Sequence, residues 1–183
     1  MVIKLLHVTI PSCEKYDEKT NTFINTKEQE LSLEHSLVSI SKWESKWKKP
    51  FISRDPKTAE ESIDYVRCMT TNRNVDPEVY YNIPPNVYKQ IEEYIDDPMT
   101  ATWIKETKRP GGRQIITSEL IYYWMVSYRI PFECQKWHLN RLLMLIRVCD
   151  EKNKDPKKMS KNEILRRNAE LNAKRRAMLN SKG

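Results

Sequence analysis

The sequence predicts an α+β protein, mainly α-helical: N-terminal β-strands with a hairpin, then a helical domain with a small internal hairpin, then a basic C-terminal helix. Three observations predict it. Val2, Leu6, Val8 and Ile10 form an apolar run that Pro11 ends, as a strand does. From Glu34 the apolar period changes to three or four residues, the helical repeat. All of the chain's net charge, finally, sits in its last segment.

That charge divides 183 residues into two parts. Residues 151–183 hold eleven Lys/Arg against four Asp/Glu, a balance of +7, and residues 1–150 hold 21 of each sign. The pattern predicts a neutral body over 1–150, with strands over about 1–34 and helices over about 35–150, and a basic helical tail over 151–183.

Each element has its own signals. Phe23–Ile24 and Leu31–Leu33, either side of the polar stretch Asn25 to Glu30, fit a hairpin partner for the first strand. Leu33, Leu37, Ile40, Trp43 and Trp47 then mark an amphipathic helix stopped by Pro50. Thr58-Ala-Glu-Glu61 is a capping box ahead of Ile63 and Val66. Asp76-Pro77 opens a short helix through Tyr80, and Pro84-Pro85 opens another through Ile95. Pro110-Gly-Gly112, between β-rich arms at 101–108 and 113–117, reads as a hairpin. Leu120 to Ile130 is apolar nearly all round, which means burial in the core or under a partner. With a second helix over about 132–149 it predicts a core helical hairpin closed at Pro131. Ser160-Lys-Asn-Glu163 caps the last helix, Lys161 to about Leu179.

Composition excludes whole classes. With only Gly111, Gly112 and Gly183, the chain cannot build the glycine-rich loops of P-loop, dinucleotide or kinase-type nucleotide sites. No apolar run approaches the roughly 18 residues of a membrane span, and the short N-terminal run broken by His7 is no signal peptide, so a cytosolic protein is expected. Cys13, Cys68, Cys134 and Cys149 then read as free thiols. Cys134 and His138, at i, i+4, would be half of a metal site with no second pair to complete it. His7, His35 and His138 have no nucleophile in a strained context to activate. Glu60-Glu61, Glu92-Glu93 and Asp96-Asp97 fall on polar helix faces, where solvated charge explains them. No catalytic residue, metal or cofactor is expected.

Binding residues are better represented. Trp43 and Trp47 share one helix face and are core residues or, if exposed, partner anchors. Lys42, Lys46, Lys48 and Lys49 around them keep base stacking open. On the tail helix Ile164, Leu165, Leu171, Met178 and Leu179 make a thin apolar stripe for a partner. Arg166, Arg167, Lys174, Arg175 and Arg176 are the candidate contacts to a phosphate backbone.

Three stretches are distinctive as sequence: Glu34 to Phe51 (EHSLVSISKWESKWKKPF), Ile130 to Leu143 (IPFECQKWHLNRLL), and the tail from Lys157 through Arg166-Arg-Asn-Ala-Glu-Leu-Asn-Ala-Lys-Arg-Arg176 to Gly183. Together, over most of the chain, they resemble small proteins of tailed bacteriophages with long, non-contractile tails, within which the nearest functional group is the tail assembly chaperones. The resemblance implies a helical, non-enzymatic protein of the host cytoplasm. It would bind the tape-measure protein, help recruit tail-tube subunits and leave before the virion matures. The alternative is a virion-structural or nucleic-acid-binding protein of the same phage, acting through the basic tail.

Overall fold

The computed structural model describes residues 4–17, 21–104, 115–153 and 161–179. The chain divides into two compact units, Met1–Asp150 and Glu151–Gly183.

The first unit opens with four short strands: β1 (Leu6–Ile10), β2 (Cys13–Asp17), β3 (Thr22–Thr26) and β4 (Gln29–Leu33). β1 pairs antiparallel with β4, Leu6 opposite Leu33, and β2 with β3, Cys13 opposite Thr26. One register runs through both ladders, so the strands are two arms of a single ribbon interrupted at Pro11. A proline has no N–H for the ladder, so the break falls there. Val8, Ile10, Leu31 and Leu33 alternate onto one face and are buried. The chain after the second helix closes the outer edge of β4, with Thr71 N–H donating to Ser32 O at 2.9 Å and Glu34 N–H to Met69 O at 2.8 Å.

Helix α1 (Leu37–Trp47) lies at the centre of the core. Ser36 caps it, accepting from Ser39 N–H, and Lys48 in the left-handed region (φ 55°) ends it. Its Leu37, Ile40 and Trp43 are fully buried. Helix α2 (Ala59–Met69) carries both halves of the capping box: Glu61 N–H donates to Thr58 Oγ1, and Thr58 N–H to Glu61 Oε2. A 3-10 turn over Pro77–Asn82 is capped by Asp76, and α3 (Pro85–Asp96) follows with Val87, Ile91 and Tyr94 inward. Then come α4 (Ser118–Ser127), a second 3-10 turn (Phe132–Lys136) and α5 (Leu139–Asn153).

The mainly helical α+β expectation therefore describes the molecule, with three local corrections. The single helix expected over 132–149 is broken: α5 starts only at Leu139. Leu139 N–H donates to His35 O at 2.9 Å, and Ser36 and His138 form an isolated antiparallel bridge, so tertiary bonds take the backbone groups that a continuous helix needs. The expected α4–α5 hairpin is not the centre of the core. The 3-10 turn separates the two helices, and α4 makes its main contacts with α1. The Gly-Gly hairpin lies outside the described residues. Of its arms, Ala101–Ile104 carry no strand, and Ile116 bridges to Ile52.

In the second unit α6 (Lys161–Leu179) is a 19-residue helix with no buried residue. Its expected Ser160 cap lies outside the described residues.

Candidate partner-binding surfaces

The chain's most apolar helix presents the first surface. A buried carboxylate positions it: Glu44 on α1 accepts from Ser118 N–H through Oε2 and from Phe51 N–H through Oε1, both at 2.7 Å. Thr117 adds the N-cap by accepting from Leu120 N–H. So fixed, α4 turns Ser118, Ile121 and Met125 into the core. On its opposite, solvent-facing side Tyr123 is 64% and Val126 60% exposed, between the exposed Glu119 and Ser127. Phe132, just beyond the helix, is 55% exposed, and its ring lies 6.5 Å from that of Tyr122. Tyr122 is held in place by its hydroxyl, which donates to Gln135 Oε1 at 2.9 Å. Sequence gave the signal here (a helix apolar on most sides) but not which side is left uncovered. Tyr16 and Phe23, their rings tilted at 55° and 5.0 Å apart across β2 and β3, and Trp103 are further exposed aromatics that sequence did not single out.

The tail residues form the second surface. Ile164, Leu165, Leu171, Met178 and Leu179 are all exposed. Arg166, Arg167, Lys174, Arg175 and Arg176 share this helix, and every one of them is exposed.

The tryptophans leave the candidate set. Trp43 is buried, its indole N–H donating to Glu61 O at 2.8 Å, and the Phe51 ring stands edge-on at 5.2 Å. Trp47 is half-buried and donates to Asp64 Oδ2 at 2.9 Å. Of the four lysines around them, Lys46 and Lys49 are paired with Asp64 and Glu61. Glu61 also departs from the solvated carboxylate expected of it. It is buried, and the hydrogen bond from Lys49, with that from Thr58 N–H, holds its carboxyl below the usual range.

Two of the histidines meet inside the body. His35 and His138 lie with ring centroids 4.9 Å apart, both buried. His35 Nδ1 pairs with the Tyr65 hydroxyl at 2.5 Å, and His138 Nε2 with Tyr94 O at 2.8 Å. The Tyr94 hydroxyl donates to Lys4 O at 3.0 Å and so ties the N-terminal arm to α3. Burial, with a second contribution from His138, pushes His35 down to about 3. Burial lowers His138 as well. Burial disfavours the charged form of both rings, and their contacts fasten four segments together; His138 departs from the satisfied core histidine expected of it, because its Nδ1 is buried with no hydrogen-bond partner among the described residues. Cys134 is 6% exposed on the 3-10 turn, and its thiol is pushed up by burial. Among the described residues no group of three or more His, Cys, Asp or Glu could hold a metal ion.

The chain matches no protein-family model, no curated protein and no solved structure. Among the described residues no helix is long and apolar enough to cross a membrane. Its candidate contacts are therefore read from its own surfaces: an apolar patch on α4 and a mixed apolar and basic helix in the tail.

Proposed function

We propose that this protein is a non-enzymatic tail assembly chaperone of a long-tailed phage, which binds the tape-measure protein and helps recruit tail-tube subunits in the host cytoplasm. The observation that carries the reading is the outer face of α4, where Tyr123 and Val126 stand in solvent, with Phe132 exposed beyond the end of the helix. Apolar side chains gathered on one exposed face mark a protein-binding surface. A long helical client with its own apolar stripe is the complement such a face fits, helix against helix. The resemblance of the 34–51, 130–143 and 157–183 segments supports the phage assignment.

The test is co-expression with the tape-measure protein encoded in the same phage genome. The expected result is a soluble complex, lost in the Tyr123→Asp/Val126→Asp variant while that variant itself stays folded. A tape-measure protein that stays insoluble beside the wild-type chain would overturn the proposal. So would recovery of this protein as a stoichiometric component of mature particles, which belongs to the virion-structural alternative.

A further inference from the structure

We infer that α6 docks on an acidic amphipathic helix of a partner protein, with Arg175 and Arg176 as the residues that select its charge. The inference rests on the protein-binding reading above and specifies the partner's chemistry. At ~100° per residue, Ile164, Leu171 and Met178 fall on one line along the helix, seven residues apart, and Leu165 and Leu179 fall on the adjoining line. This face is exposed along its whole length, Ile164 by 45% and Met178 by 89%.

The charges sort by whether the helix itself pairs them. Arg166 lies opposite the apolar face, Arg167 and Lys174 border its Leu171–Met178 side, and Glu163 and Glu170 lie among these three cations. Glu163 precedes Arg167 by four residues and Glu170 precedes Lys174 by four, the orientation in which a helix pairs its own charges. A helix that tracks a phosphate backbone gathers cations on one side and keeps carboxylates away from it. This one places two glutamates among its cations, which argues against nucleic acid.

Arg175 and Arg176 are different. Arg175 lies within the apolar face and Arg176 at its edge, and no Asp or Glu stands three or four residues from either. Whatever covers the apolar face meets these two guanidinium groups, and carboxylates are the groups that fit them, in bidentate pairs. A second copy of this chain does not: two α6 helices would bring together two segments each carrying +7, and in parallel register would set Arg175 against Arg175. An acidic helix satisfies both the stripe and the charges.

Fluorescence anisotropy on the full chain tests this with three labelled probes. They are a synthetic heptad peptide with Leu at positions a and d and Glu at e and g, the same peptide with Lys at e and g, and a short DNA duplex. The expected result is that the Glu peptide binds at least ~10-fold more tightly than either other probe. Leu171→Asp should abolish that binding. The Arg175→Glu/Arg176→Glu variant, which keeps good helix formers, should shift preference to the Lys peptide. Equal binding of the two peptides, or tighter binding of DNA, would overturn the inference. A dimer that Leu171→Asp dissolves would also overturn it, in favour of a second copy. If the Glu peptide fails but the tape-measure protein is still solubilised, this inference falls alone. If the peptide binds while that protein stays insoluble, the chaperone reading falls and this one stands.

Discussion

Single side chains decide two things that the helical pattern leaves open: how the body answers acid, and which way α4 faces. His35, held near 3 by burial, and His138, lowered for the same cause, have folded-state values below the ordinary 6.5. The unfolded chain therefore takes up protons that the native state refuses as pH falls below 6.5. Stability is fully present above that value and declines toward acid at up to about 1.4 kcal/mol per pH unit for each such group. Urea midpoints measured between pH 7.5 and 5, above the carboxylate range, should fall with pH and should flatten in His35→Phe. A wild-type midpoint constant over that window would contradict the burial argument. Glu44 sets the direction of α4, because its two oxygens accept from Ser118 and Phe51 N–H groups. Glu44→Ala leaves both donors without that partner, at about 1–3 kcal/mol each, and Glu44→Gln, which keeps one acceptor, should cost visibly less. Equal losses for the two variants in chemical denaturation would mean that the carboxylate is not the anchor. Sequence shows a glutamate on a helix otherwise rich in lysine; it does not show that the helix folds this one inward.

At the scale of elements, what is local was legible and what is not was missed. Thr58 and Glu61 stand three residues apart and close their box with nothing from elsewhere in the chain, so the start of α2 follows from four letters. Thr58→Ala should cost about 1 kcal/mol in thermal or urea unfolding, and a change of under about 0.3 kcal/mol would mean that packing, not the cap, holds that end. Asp76-Pro77 and Pro84-Pro85 worked in the same way, through a missing N–H and a fixed φ. The reading failed at 132–139, where apolar periodicity carries a helix straight through. Its backbone partners there come from far away in sequence: His35 takes the Leu139 N–H, and Tyr94 takes the His138 ring. Periodicity reports which side chains are apolar, and it carries no information about a carbonyl a hundred residues upstream. The α4 surface shows the same limit. Its composition announced that something must cover it, but tertiary contacts decide what remains outside: with Glu44 holding the start of the helix and Ile121 and Met125 turned into the core, Tyr123 and Val126 are left in solvent.

For the whole molecule, the division of charge and the division of burial coincide. Among the described residues every buried one belongs to Met1–Asp150, whereas the surplus of cations belongs to residues 151–183. Folding energy and net charge are thus held in different parts of the chain, and a truncation after Asn153 should separate them. The shortened chain keeps every buried residue among those described, so its thermal midpoint should stay within about 2 °C of the full chain's, since in a chain of this size a change of 1 kcal/mol would shift it by roughly 2–4 °C. Its charge should collapse from +7 to zero, because residues 151–153 add one Glu and one Lys to a balanced body. At pH 7.5 the full chain should bind a cation exchanger and the truncated chain should flow through. A large drop in midpoint would mean that the tail supports the body, and α6 could not then be free to dock elsewhere. An unchanged midpoint with lost retention would leave the tail's stripe and its two selecting arginines to act on a partner.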